Sequence, residues 1–238
     1  LGDVYKRQIC YVVLGILLMG SGIVVSCDSF NEDLPECRLL VKFKYDYNME
    51  FADAFHAQVD KVELYIFDKD GKFMFKQAEE GSALSTGNYL MEVELPVGQY
   101  QFMAWAGARD SYDITLLTPG VSTITDLKLK LKREASLIIN KKMETLWYGE
   151  IIGVNFTGTE HQTETINLIR DTKIVRFGFQ SYTGTWTLDM NDYDYEIIES
   201  NGHLGHDNSL QDDDVLSFRP YYCLLYTSPS PRDYAASR

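Results

Sequence analysis

The residue with the clearest chemical task in this sequence is Cys27. It closes Val24-Val25-Ser26-Cys27, where a run of 17 uncharged, mostly apolar residues, Ile9 to Val25, gives way to the acidic stretch Asp28-Ser29-Phe30-Asn31-Glu32-Asp33. Small or apolar residues ahead of a cysteine suit a signal peptidase that binds an extended segment, and the thiol is the group that accepts diacylglycerol. Val24, Val25 and Ser26 are the expected recognition residues, 9–26 the signal peptide, and Cys27 the acylated start of the mature chain. Each buried methylene contributes about 0.8 kcal/mol and stable anchoring takes two acyl chains or more, which a lipidated cysteine supplies. A bare transmembrane helix is the alternative, because 17 residues is the short limit of a span. Residues 27–37 then form an acidic tether.

Other constellations are weaker. His203-x-x-His206 with Asp207 offers two imidazoles and a carboxylate to zinc, but flanking Asn201-Gly202 and Gly205 read as a turn and spacing places no further strong ligand. Asp192, Asp194 and Glu196 share one face of a strand, without the glycine and terminal glutamate of a calcium loop, and Asp212-Asp213-Asp214 reads as a solvated charge run. Trp105, Trp147 and Trp186, with 16 Tyr and 12 Phe, could line a glycan surface, yet alternation assigns many of these aromatics to buried faces. Tyr65 and Phe67, in phase with Glu63 and opposite Val62, Leu64 and Ile66, are the expected exposed or subunit-facing patch. No nucleophile elbow, phosphate loop or zinc-protease pair is present, so no catalytic residue, metal site or cofactor is assigned and the chain is expected not to be an enzyme.

The elements that would carry these residues are strands. Period-two alternation recurs at Val41, Phe43, Tyr45 and Tyr47; at Val62, Leu64 and Ile66, with a return through Phe73 and Phe75 after an Asp70-Gly71 turn; at Tyr89 to Leu95 and Tyr100 to Ala104 on either side of Pro96-Val97-Gly98; and at Leu127, Leu129 and Leu131. Met49 to Gln58, with Phe51, Phe55 and Val59 spaced at i+4, predicts a short helix or turn. Asn140 to Gly149 and Asn155 to Thr165 read as polar and aperiodic, and alternation resumes at Val175, Phe177 and Phe179 and continues to Ile197. The expected fold is all-β: two antiparallel β-sandwich domains in tandem, 38–135 and 136–222, the second truncated.

At 238 residues, with 45% hydrophobic and 24% charged residues, the chain can bury a core and is not a disordered one. A net charge of −13 excludes nucleic acid as a partner, which needs clustered Lys and Arg. The two ends stand apart. Asp3 to Gln8 can be back-translated as GATGTGTATAAGAGACAG and Cys223 to Ser228 as TGTCTCTTATACACATCT, reverse complements but for the outermost bases. Residues 1–8 and 223–238 therefore resemble translated sequencing adaptor and are set aside; a natural Ser- and Pro-rich tail is the alternative for the second. Cys10 and Cys223 then leave with the discarded segments, and Cys37 stands without a visible disulfide partner.

Ser26-Cys27-Asp28, Glu32-Asp33-Leu34-Pro35-Glu36-Cys37, Phe43 to Asn48, Ala52-Asp53-Ala54-Phe55, Val62 to Gly71, and Leu95-Pro96-Val97-Gly98-Gln99-Tyr100 through Ala104-Trp105-Ala106-Gly107 resemble the FimB-type fimbrial anchor lipoproteins of anaerobic Gram-negative bacteria. The resemblance implies transthyretin-like β-sandwich domains, attachment to outer-membrane lipid through acylated Cys27 facing the cell exterior, and a structural place at the base of a fimbrium, with fimbrillin or other fimbrial subunits as partners. The family has no catalytic residues to carry over, and the acidic tether resembles a signal for export to the outer face. A surface glycan-binding lipoprotein is the alternative function.

Overall fold

The structure, a computed structural model, describes residues 37–159, 161–177 and 193–221. Cys27, Val24 to Ser26, Trp186 and the strand expected through Leu188 lie outside the described residues. The chain divides into the units Leu1–Cys37 and Arg38–Arg238, and every described strand belongs to the second.

Seven strands build the main sheet: β1 (Leu39–Lys44), β2 (Lys61–Asp68), β3 (Phe73–Glu80), β4 (Met91–Val93), β5 (Gly98–Ala106), β9 (Trp147–Phe156) and β10 (Gln162–Arg170), in the order β3-β2-β5-β9-β10-β1-β4. Neighbours are antiparallel except β1 and β10, which run parallel with Lys44 beside Asn167. Two three-stranded sheets form a second layer. One orders β12 (His203–Leu204), β7 (Leu129–Leu131) and β6 (Tyr112–Ile114); the other orders β11 (Ile197–Glu199), β13 (Leu216–Phe218) and β8 (Ile138–Ile139).

Both faces of the main sheet are dry, for a reason visible in β2. Val62, Leu64 and Ile66 pack with Leu39, Val41, Phe43, Phe102 and Ile166 in one core. Tyr65 and Phe67, which alternation puts on the other face, pack with Trp105, Leu127, Leu129 and Leu216 in a second core. Full burial of a side chain of this size contributes about 1.5–3 kcal/mol, so residues on the two faces compete for cover and the second layer supplies it. Tyr65 and Phe67 are 3% and 0% exposed, which corrects the expectation that they form an outward patch. Alternation alone cannot distinguish a wet outer face from one covered by another sheet.

Further local expectations change. The strands about Pro96 exist, but β4 pairs with β1 while β5 pairs with β2 and β9, so they are not a hairpin. The stretches read as aperiodic contain both ends of β9 and the start of β10; Trp147 and Tyr148 are buried there on opposite faces, in the first and second core, which erases the period-two signal. Those strands lie beyond residue 136 yet stand between β5 and β1, so the main sheet draws on both sides of the expected division. The helix shrinks to one turn, Phe55–Gln58, with Phe55 and Val59 buried and Phe51 outside. Val175 and Phe177 are exposed and lie in no strand. The β2–β3 hairpin forms as expected, turning through Asp68 to Lys72, where Gly71 takes φ 76°.

Candidate functional site

The main sheet curls until its two edges face each other. Gln77, on edge strand β3, donates from Nε2 to the backbone carbonyl of Glu92 on edge strand β4 at 2.9 Å. A stretched glutamine plus that bond spans up to about 10 Å between Cα traces, roughly twice the 4.8 Å spacing of paired strands. No backbone ladder joins β3 to β4 among the described residues. The result is a seam bridged by a side chain rather than by a backbone ladder, beside a groove of about 410 Å³ lined by Phe75, Gln77, Glu92 and Glu94. One end of it is closed, because the Phe73 amide donates to Ser122 and the Phe73 carbonyl accepts from Gly120. Beyond Phe73 the β3 edge has no partner strand among the described residues.

The strand directions define a second feature. β1, β3, β5 and β10 all finish at one end of the sandwich, and β2, β4 and β9 start there. At that end the chain leaves β1 through a loop fastened from within. The Asn48 side chain donates to the carbonyls of Tyr45 (2.9 Å) and Ala52 (2.7 Å) and accepts from the Glu50 amide (2.9 Å). Asp53 accepts from the amides of Tyr45 (3.0 Å) and Phe55 (3.1 Å). Tyr45 is buried against Trp147, ring centroids 6.0 Å apart, while Tyr47, Met49 and Phe51 stand 64%, 95% and 92% exposed. The expected alternation thus holds to Tyr45 and fails at Tyr47, where the chain has left the sheet.

The remaining sequence candidates separate. Trp105 and Trp147 are core residues. His203 sits in β12 with Nδ1 3.1 Å from the Asp212 carbonyl, and no group of three metal-ligating side chains occurs among the described residues. Asp194 and Glu196 are exposed, Glu196 accepting from Ser217 Oγ at 2.6 Å. The acidic run is not uniformly solvated: the Asp213 side chain is fully buried on Arg133 at 2.6 Å, with Lys130 at 3.7 Å. Burial raises the Asp213 carboxyl, but the Arg133 bond and charge more than offset it and leave it below the usual carboxylate range. Sequence reasoning missed Glu63 as a buried acid. It accepts from Tyr65 Oη (2.9 Å) and Lys76 Nζ (3.1 Å), with Lys61 at 3.4 Å, and these partners outweigh burial to hold its carboxyl low.

Known proteins place this geometry. A family profile, fimbrillin-A associated anchor proteins Mfa1 and Mfa2, matches residues 34–231. The minor fimbrium anchoring subunit Mfa2 of Porphyromonas gingivalis is 24% identical over 214 residues, 86% of this chain and 64% of that protein, so the chain spans less than two thirds of its curated relative. A crystal structure from Bacteroides thetaiotaomicron, described as a candidate polysaccharide-binding protein, aligns with TM-score 0.79 and 89% identity over 82% of this chain and 69% of its own. A candidate adhesin from Bacteroides ovatus aligns with TM-score 0.70 and 31% identity, covering 83% of this chain and 66% of that one. The fold is the all-β sandwich of these anchor and adhesin proteins. By its sequence match over most of its length, this chain belongs to the family of fimbrillin-A associated anchor proteins.

Proposed function

We propose that the protein is a lipid-anchored subunit of the outer membrane that holds and caps the base of a fimbrium without catalysing a reaction. Its task is mechanical: Cys27 carries the acyl chains, 27–37 spans the headgroups, and the sandwich grips the first fimbrial subunit. The observation that carries the reading is the Gln77–Glu92 seam. Two sheet edges with no backbone ladder between them, bridged by one side chain, can accept an extended segment from another chain; main-chain hydrogen bonds would give strength and the groove at Phe75 specificity.

The test is fractionation of cells expressing the full chain and fed a clickable fatty acid. The wild-type protein is labelled, sediments with outer membrane and retains a fimbrial subunit, whereas Cys27→Ala loses the label and is shed together with that subunit. Labelling that persists in the variant sinks the lipid assignment; a labelled anchor that never retains a fimbrial subunit sinks the anchor role.

The description of the 89%-identical relative favours a second reading, a surface lipoprotein that binds polysaccharide. Polysaccharide affinity with no fimbrial subunit retained would select it.

A further inference from the structure

The segment His203 to Gln211 is a small hairpin on the edge of the second layer. It is closed from within: the Gln211 amide donates to the His203 carbonyl, the Gly205 amide donates to Ser209, and Leu204 bridges Leu210. Both legs are fixed at the base, where the Gly202 carbonyl accepts from the Leu131 amide at 2.7 Å and Asp213 is buried on Arg133. The first leg rests on β7 through two residues, His203 beside Lys130 and Leu204 beside Leu129. The tip is held to the body of the protein by one side-chain bond among the described residues, from Asn208 to Asp171 at the end of β10. These bonds describe a flap hinged at Gly202 and latched at Asn208.

The latch is incomplete as a hydrogen-bonded pair. Asp171 and Asn208 each keep a buried oxygen with no donor among the described residues. An ionised Asp171 leaves both unmet, and water reaches them only if the tip moves away. A protonated Asp171 supplies a donor and completes the pair.

The surrounding charges set the direction. Arg170 and Lys173 flank Asp171 on its own segment, Tyr112 faces it from β6 and Tyr148 from β9; Glu144 stands beside Tyr112 in the loop ahead of β9, and His206 and Asp207 lie in the turn. Burial drives the Asp171 carboxyl up to about 6, opposed by the Asn208 bond and the charge of Lys173. The closed flap therefore holds a proton that the open, hydrated carboxyl releases near 3.8. Opening is rarest below 3.8, grows as pH rises, and levels off above about 6.

We propose that His203 to Gln211 is a proton-latched flap: Asp171 with its proton holds the tip shut, and loss of that proton lets the hairpin lift from β7 about its base at Gly202. Lifting uncovers the β7 edge at Leu129 and Lys130 as a free strand edge. The flap belongs to the second layer and does not depend on the Gln77–Glu92 seam.

The test is amide hydrogen exchange of the full chain at pH 4 and pH 7, corrected for the intrinsic pH dependence of exchange. The Leu131 amide donates to Gly202, so the two-residue period of the ladder turns the Leu129 amide toward β12 as well, whereas the Lys132 amide donates to Ser111 on the β6 side. Protection at Leu129 is expected to fall roughly fiftyfold from pH 4 to pH 7 while that at Lys132 stays level. Asp171→Asn, which carries its donor at every pH, is expected to keep Leu129 protected throughout. Asn208→Gly, which accepts the φ of 63° but has no side chain to latch, is expected to leave Leu129 exchanging fast at both pH values.

Level protection at Leu129 in the wild type overturns the flap. A fall that persists in Asp171→Asn belongs to His203 or His206 and overturns the role of Asp171. Equal falls at Leu129 and Lys132 mean that the layer opens as a whole, which overturns the hinge at Gly202.

Discussion

Asn208 donates from Nδ2 to Asp171 at 2.9 Å, yet the other carboxylate oxygen of Asp171 and the amide oxygen of Asn208 are both buried without a hydrogen-bond partner. Two neighbouring acceptors lack one donor between them. A proton on Asp171 supplies it, turning the pair into an acid–amide couple in which each group donates once and accepts once. Burial drives the Asp171 carboxyl up to about 6, opposed in part by the Asn208 bond and the charge of Lys173. The couple ties the turn at Asn208, itself at φ 63°, to the end of β10, with Asp207 in the same turn and the phenols of Tyr112 and Tyr148 raised in part by the Asp171 charge.

The sign of the pH dependence follows. The folded carboxyl titrates above its unfolded value of 3.8, so the folded state binds the extra proton between there and about 6; the contribution is fully present below the lower value and lost as pH rises through the upper one. Asp171→Asn, which carries the missing donor permanently, is expected to be more stable than wild type at pH 7.5 by about 1–3 kcal/mol and to converge on it only as pH falls below the unfolded value of 3.8. Denaturant melts of both proteins across that range check this. Parallel curves would show that Asp171 is ionised at all these pH values.

The Arg133–Asp213 pair joins the end of β7 to the segment before β13. Arg133 is 9% exposed at its side chain and Asp213 is fully buried, so losing one partner strands a charge. Arg133→Met is expected to cost about 3–5 kcal/mol, and the double variant Arg133→Met with Asp213→Leu to recover most of it. A double-mutant cycle by urea unfolding checks the coupling, and additive losses would contradict it.

A β-carbon at Gly149 would fall 2.8 Å from both Ala104 Cβ and Ile166 Cγ2, where β5, β9 and β10 meet. Backbone φ is not the constraint here; space is. Gly149→Ala is expected to destabilise the sandwich by about 1–3 kcal/mol, read as a fall in melting temperature, because three paired strands cannot separate locally without losing ladder bonds.

These residues also mark what was legible beforehand. Local signals held where one turn or one strand decides the outcome: Asp70-Gly71 closes a hairpin, and Leu127, Leu129 and Leu131 turn one dry face inward with Lys130 outside. Signals failed where burial on both faces removed the contrast that period two depends on, at Trp147 to Tyr148 and at Tyr65 and Phe67. The seam was invisible for another reason. It exists only because β4 pairs with β1 rather than with its sequence neighbour β5, and no property of Glu92 or Gln77 alone encodes that choice. Family motifs carried the fimbrial assignment across that gap, since they compare whole arrangements rather than deduce them.

The seam itself is testable without a partner. Gln77 is the side chain seen to bridge it, half-buried but outside both cores, so Gln77→Ala is expected to leave global stability within about 0.5 kcal/mol. Hydrogen exchange should nevertheless change locally. β4 is three residues long and paired on one side only, to β1, so the tie at the Glu92 carbonyl is a large share of its restraint, and the amides of Met91 to Val93 should exchange several-fold faster in the variant while those of β5, paired on both sides, stay unchanged. Equal exchange at β4 in both proteins would mean the two edges are held together by something other than Gln77.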